Sequence, residues 1–367
     1  MANATTTRWV RPVVALAAAV GLAACLPSLG RPVLRQAAVA PQVWDDSDPA
    51  VLVAGGRTYL FGSTNNVLLP VREITSYGGT VAASRQAWAD HPTSAMRDRP
   101  AWAAPDSQLW APSVLRIGAS YWLYFAARRA GASDPLNDQC IGRARALAPM
   151  GSYVPESDPL YCGLPAEAGS NPWGRGALDP EVVVGQDGSL TMLVALSRTR
   201  ANIGAVALDE RGRPVGGVNA APTTLVSQRF PWHDGVDDAT LRPTFLENPS
   251  MVYEPRTGTY LLFYSAGDWW SSRYVTGFGR CRTPAGPCVL EERGPFLVGG
   301  SGRSGPGGLT AYVGADGALR AAYASWTAGR ENIPDPTGAN SRQVSFARIA
   351  VTPTTDPAAQ RVVLGAP

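Results

Sequence analysis

Apolar residues in this chain come in short runs broken by glycine, proline and acidic residues, and the run lengths predict strands. The clearest instance is residues 241–270, LRPTFLENPSMVYEPRTGTYLLFYSAGDWW. A turn at Glu247-Asn248-Pro249 leads into a short apolar strand at 250–253, and a second turn, 254–258, leads into a longer one at 260–266. Proline disfavours the helical region for the residue before it, so Asn248 is expected to be extended. Gly258 supplies the permissive residue of the second turn. The unit is a β-hairpin with a carboxylate at its entrance.

Four other stretches repeat the pattern: DPAVLVAGGRTYLFGS from Asp48, APSVLRIGASYWLYFAAR from Ala111, DPEVVVGQDGSLTMLVALSR from Asp179 and GGLTAYVGADGALRAAYASW from Gly307. Pro49, Pro112, Pro180 and Pro249 hold the second position in four copies, at intervals of 63, 68 and 69 residues, and the fifth copy follows 59 residues later at Gly308. Each period has room for a four-stranded sheet with its loops. A fixed long period in strands points to radial repetition, so the expected fold is all-β, a five-bladed β-propeller. A sandwich or barrel whose hairpins match by chance is the alternative, and five in-phase copies weigh against it.

Length alone would divide 367 residues into two or three domains. The repeat overrides that, because one propeller uses most of the chain. Apolar residues make up 45%, enough for a large core, and 39 glycines with 32 prolines suit a turn-rich β protein. A formal net charge of +3 and the lack of a basic run argue against a nucleic-acid partner.

The N-terminus reads as a targeting segment. Arg8 and Arg11 precede an apolar run at 13–22 that is too short to span a membrane with those flanks. The run ends in Leu22-Ala23-Ala24-Cys25, which resembles a bacterial lipobox, with Cys25 as the lipidated first residue of the mature protein. An ordinary secretory signal cut near Ala38-Val39-Ala40 is the alternative, but Pro41 would follow the cut unfavourably. The expected organisation is a signal peptide at 1–25, a tether at 26–41 and a catalytic propeller at 42–367. The membrane would be met only through the lipid, at the outer face of the cell membrane.

Four cysteines remain beyond Cys25: Cys140, Cys162, Cys281 and Cys288. In an oxidising compartment they allow two disulfides in three connectivities. The local pairs Cys140–Cys162 and Cys281–Cys288 are favoured, since each closes a loop within one blade. A zinc site is not expected: the spacings are wrong, and His91 and His233 are the only histidines.

In a propeller the innermost strands line a central channel. If the hairpin starts are equivalent, Asp48, Trp110, Asp179 and Glu247 meet at one mouth, giving three carboxylates and an aromatic ring, the composition of a glycosidase site. A lone Asp-Pro is more often a turn than a catalytic group. Asp45, Asp46, Asp237 and Asp238 fall outside the repeat frame and read as loop residues.

The motifs WDDSDPAVLVAGGRTYLFGS, WAPSVLRIGASYWLYF, ALDPEVVV, LENPSMVYEPRTGTYLLFYSAGDW and YVTGFGRCRTPAGPCVLEERGPF together resemble glycoside hydrolase family 43, over residues 43–349. The resemblance implies a five-bladed propeller that cleaves arabinan or xylan with inversion. It makes Asp48 the general base, Glu247 the general acid and Asp179 the acid that orients Glu247 and adjusts its pKa. The chemistry asks for the same roles: one acid protonated toward the leaving oxygen, another ionised toward water, with room for that water between them. A negative Asp179 near Glu247 would help Glu247 keep its proton.

One departure concerns the last blade. The family often has a histidine in a Gly-Pro-Gly-His stretch that helps hold a channel cation, and here the stretch reads Gly305-Pro306-Gly307-Gly308. A calcium ion is therefore in doubt, and no cofactor is expected. Among Trp44, Trp102, Trp110, Trp173, Trp269, Trp270 and Trp326, Trp110 is the first choice to stack on sugar, followed by Trp269 and Trp270. Arg303 could reach sugar hydroxyls or be a solvated loop residue.

The resulting expectation is an exported, lipid-anchored monomer acting on arabinose- or xylose-containing polysaccharide, arabinose preferred. A sugar-binding propeller without catalysis is the second reading, and a protein-interaction propeller the third. Linkage and endo or exo action depend on the loops at 76–106 and 134–173.

Overall fold

A computed structural model describes residues 1, 34–35, 47–63, 68–75, 93–131, 139–163, 176–197, 201–234, 245–332, 342–352 and 361–367. Cys25 and the targeting segment, the tether, His91, Trp44, Trp173, Asp45, Asp46, Asp237 and Asp238 lie outside them, as do residues 76–92, 134–138 and 164–173 of the two loops.

Five antiparallel sheets follow one another along the chain and form the five blades of a β-propeller. Their inner strands are Ala50–Ala54, Leu109–Ile117, Ala177–Val184, Leu246–Glu254 and Arg303–Val313. Four sheets have four strands each; the fourth blade has six, including Leu34–Arg35, which pairs parallel with Leu297–Val298.

The second strand of each blade is buried on both faces, which is why its sequence reads as a near-continuous apolar run. Alternate side chains serve different neighbours, as the two-residue period of a strand requires. Leu123, Phe125 and Ala127 pack with Phe61, Leu69 and Val71 of the first blade. Tyr124 and Ala126, between them, pack with Met192 and Val194 of the third. Leu262 and Tyr264 join Leu193 and Ile203 of the third blade, whereas Leu261 and Phe263 join Ala321 and Tyr323 of the fifth. Leu60, Ile74, Tyr312, Ala322, Val344 and Phe346 close the ring between the last blade and the first.

Each inner strand carries the same local device at its start or, in the fifth blade, within it. Asp48, Ala111, Asp179, Asn248 and Gly308 all have left-handed backbone, with φ of 51°, 45°, 51°, 46° and 59°. Strand register shifts here, between Trp110 and Ser113, Leu178 and Glu181, Glu247 and Ser250, and Gly307 and Thr310. These are bulges, and the four prolines sit in or beside them, where no ladder N–H is needed. Asn248 is thus left-handed, not extended as its place before Pro249 predicts. The bulge turns the freed N–H out of its own sheet and toward the preceding blade, where a buried donor must find a partner. Ala111 N donates to Ser63 Oγ (2.9 Å), Asn248 N to Asp179 Oδ2 (3.0 Å) and Gly308 N to Ser265 Oγ (2.9 Å). Gly, Asn and Asp tolerate this backbone best, while other residues are disfavoured by about 1–2 kcal/mol, a cost that falls here on Ala111.

Two residues further along, a second ring of bonds ties the blades. Ser113 Oγ accepts from Val182 N (3.1 Å), Glu181 Oε1 from Met251 N (2.7 Å) and Ser250 Oγ from Ala311 N (2.8 Å). Thr310 Oγ1 donates to Pro49 O (2.5 Å) and joins the fifth blade to the first. Burial pushes the Glu181 carboxyl up to about 8 despite its backbone donor.

The two favoured disulfides are present. Cys140–Cys162 lies in the second blade. Cys281–Cys288 joins directly opposed residues of neighbouring strands in the fourth.

Candidate active site

The bulges decide which side chains reach the channel mouth. Asp48 and Asp179 are themselves left-handed bulge residues, whereas Glu247 stands one residue before its blade's equivalent, Asn248. Glu247 is therefore in register with Trp110, and the three acids are offset by one position. They still converge. Asn248 links two of them directly: its N–H donates to Asp179 Oδ2, and its Nδ2 donates to Asp48 Oδ1 at 3.2 Å. Tyr274 Oη lies 2.6 Å from Glu247 Oε1 and 2.7 Å from Asn248 Oδ1.

Asp48 meets donors on both oxygens. Ser63 Oγ donates to Oδ2 at 2.6 Å, and Arg342 reaches Oδ1 at 3.6 Å. That setting suits a carboxylate, which can only accept. Ser63 also receives Ala111 N–H, so its hydroxyl proton is free to point at Asp48.

Glu247 differs. Burial pushes its carboxyl up to about 7, Asp48 and Asp268 add repulsion, and Tyr274 and Arg342 pull the other way. Asp179 is also raised, by burial first and then by Glu247 and Asp48. The sequence-based expectation had a charged Asp179 raising Glu247. In the structure burial comes first for both groups, and it is Glu247 that pushes Asp179 upward, while the charges raising Glu247 are Asp48 and Asp268.

Below the acids the channel narrows to a cavity of about 20 Å³, lined by Asp48, Asp179, Glu181, Asn248 and the four bulge prolines. That volume admits about one water molecule. A larger cavity, about 810 Å³, lies beyond the neck among Val51, Val182, Met251, Tyr253 and Arg348. It touches none of the three acids and is not the site.

The fifth-blade position expected to help hold a channel cation has no side chain here. A Cβ built on Gly308 would lie 3.4 Å from Asp48 Cα and 3.5 Å from Asp48 Oδ1, so this position faces the site but carries no imidazole. Both Asp48 oxygens, Asp179 Oδ2 and Glu181 Oε1 accept from protein donors. Among the described residues no cluster of three or more His, Cys, Asp and Glu is placed to hold a metal ion.

The aromatic candidates separate. Trp269 is exposed, with the Arg342 guanidinium 5.5 Å from its ring centre, which places it beside Asp48's partner. Trp326 is buried and donates from Nε1 to Trp269 O at 2.8 Å, fixing that platform from behind. Trp270 packs edge-on against Phe245 at 5.7 Å and serves the loop. Trp102 stacks on Phe125 in the core. Trp110 is half-buried beside Leu178 and Leu115, in register with Glu247.

Arg303 is not a solvated loop residue. It begins the inner strand of the fifth blade and is buried. Its Nε donates to Ser325 Oγ (3.1 Å), and its other nitrogens reach Ser325 O and Gln343 Oε1 (2.5 Å each). The arginine that does reach the acids is Arg342, which sequence reasoning missed along with Ser63, Tyr274 and the role of Asn248. Tyr274 stood at the head of a quoted motif and Asn248 in the turn. Arg342 carries no local signal.

No curated protein matches the chain. Among solved structures, a thermostable family-43 glycoside hydrolase aligns at 20% identity over 87% of this chain and 92% of its own, with a TM-score of 0.65. An endo-1,4-beta-xylanase from Bacteroides thetaiotaomicron aligns at 16% over 90% and 97%, TM-score 0.65. An alpha-L-arabinofuranosidase from Lactobacillus brevis aligns at 17% over 90% and 96%, TM-score 0.65. At these identities the likeness is one of fold. The model of the family described as glycosyl hydrolases family 43 matches residues 39–351, which takes in the inner strands of all five blades and the three acids, and the chain belongs to that family.

Proposed function

We propose that this glycoside hydrolase cleaves arabinofuranosyl or xylosyl linkages with inversion. Glu247 donates its proton to the leaving oxygen, Asp48 takes a proton from the attacking water, and Asp179 holds Asn248 and couples to Glu247. The observation that carries this reading is the contrast between two carboxyls at one channel mouth. Asp48 is met by Ser63, Asn248 and Arg342, whereas burial holds the Glu247 proton to about 7. Two acids whose surroundings favour opposite protonation states are what inverting hydrolysis requires. The route consumes only water, and no cofactor enters it.

Arabinose-containing polymer is the preferred substrate. In support, a related Cellvibrio cellulosa alpha-L-arabinanase of the same fold was solved in complex with arabinohexaose. Trp269 and Trp110 are assigned to sugar stacking and Arg342 to sugar hydroxyls beside Asp48. Incubating the protein with arabinans, xylans and aryl glycosides, and following the anomeric protons of the first product by NMR, tests the proposal. Product of inverted configuration is expected. Retained configuration would rule out the mechanism, and binding without cleavage would favour a sugar-binding propeller.

The enzyme is proposed to be exported and to work as a monomer tethered by a lipid on Cys25. The two disulfides fit an oxidising compartment. Cys25→Ser is expected to move the protein from the membrane fraction to the soluble one. Unchanged membrane association would refute the anchor.

A further inference from the structure

We propose that Asn248 is a positioning residue which sets the protonation pattern of the site, by completing a one-way hydrogen-bond chain from Glu247 through Tyr274 to Asp48. The inference rests on the acid and base roles assigned above.

Its backbone does not call for asparagine. Gly308, the equivalent residue of the fifth blade, holds the same left-handed turn without a side chain. Asn248 adds two contacts. Asp48 can only accept, so the amide nitrogen must face it, and the amide oxygen then faces Tyr274. That oxygen needs a donor. Tyr274 has one hydroxyl proton and two acceptors within 2.7 Å. If the proton goes to Asn248, the 2.6 Å contact with Glu247 is a hydrogen bond only when Glu247 is itself protonated and donates. Every donor then points from acid to base: Glu247 to Tyr274, Tyr274 to Asn248, Asn248 to Asp48. This is the arrangement that inverting hydrolysis needs before substrate is attacked. If Glu247 is ionised, Tyr274 turns its proton to Glu247 and leaves the Asn248 oxygen without that donor.

Other charged groups act on Glu247 but do not depend on this chain. They are Asp48 from the first blade, Asp268 from the loop after the second strand of its own blade, and Arg342 from the fifth, while Asp179 from the third is itself raised by Glu247. The Tyr274 ring is fixed independently, because it lies against Gly307, where an added Cβ would meet it at 2.1 Å.

Two substitutions separate a proton-setting role from a structural one. In Asn248→Gly the left-handed backbone is kept, and so is the N–H to Asp179. Tyr274 is freed to donate to the Glu247 anion, which favours that anion. The basic limb of the kcat/KM profile should move to lower pH by about one unit, a tenfold change in the proton equilibrium. In Tyr274→Phe the hydroxyl that turns to Glu247 once it ionises is gone while the ring still fills its place, and because that bond to the anion is the stronger one the limb should move to higher pH. Isotope-edited carboxyl NMR of Glu247 reads the same shifts without any substrate. Opposite shifts support the chain. Unmoved titration in both folded variants overturns it, whatever happens to the rates. A wild type that hydrolyses nothing would overturn the catalytic reading instead, with the Glu247 titration still deciding the hydrogen-bond chain.

Discussion

Asp48→Asn is expected to lower kcat by about 10²–10⁴-fold, the usual reach of a general base. The loss should be the same for fast and slow leaving groups, because the missing step is activation of water. A small anionic nucleophile such as azide should restore part of the rate on an activated aryl glycoside. Folding should survive. Asparagine tolerates the left-handed backbone at φ 51°, and its amide oxygen can still accept from Ser63 or Asn248. What changes is the attraction to Arg342, an ion pair at 3.6 Å across the junction of first and last blades. Thr310 to Pro49 and the apolar cluster of Leu60, Tyr312 and Phe346 still close that junction. The melting temperature should therefore fall little. Near-wild-type turnover on a good substrate would remove Asp48 from the mechanism.

The parts of this fold that were legible in the sequence are those with a local cause. Prolines at intervals of 63, 68 and 69 residues mark the bulge that starts each inner strand, and Gly308 marks the fifth. The same bulge explains why four of the five residues at those places read Asp, Asp, Asn and Gly, types that tolerate left-handed backbone, with Ala111 the exception. Asp48 and Asp179 therefore satisfy a backbone requirement as well as a chemical one. Asn248 was misread because the proline rule excludes the right-handed helical region and was taken to leave only extended backbone. Arg303 was misread because SGRSGPGG has the composition of a loop, although it opens an eleven-residue strand. Arg342 and Tyr274 were missed for a different reason. They lie outside the repeated hairpin starts, 294 and 226 residues beyond Asp48 in the chain, and only closure of the ring brings them to the acids. A repeat shows where blades begin and not which loop residues lean over the channel.

The Glu247→Gln substitution should separate substrates by leaving group. Glutamine keeps the size of the side chain and can still meet Tyr274, so the blade should fold, but no proton can be delivered. Natural glycosidic oxygens leave as alkoxides unless protonated, and on such substrates kcat should fall by about 10²–10⁴-fold. An aryl glycoside with an acidic phenol needs little protonation, and its loss should be at most about tenfold. The pH profile carries the sign. Burial, Asp48 and Asp268 raise the Glu247 carboxyl to about 7, so the wild-type acid is protonated below that value and lost as pH rises through it. Wild-type kcat/KM should fall on the basic side near pH 7, and this limb should be absent from Glu247→Gln on the activated substrate, because nothing there remains to lose its proton. Asp179→Asn offers an internal control. It removes a carboxyl that burial, Glu247 and Asp48 push up, and with it any negative charge beside Glu247, while leaving an oxygen for the Asn248 N–H, so the basic limb should move to lower pH without vanishing. A Glu247→Gln enzyme that keeps both its rate on arabinan and its basic limb would show that the proton comes from another group.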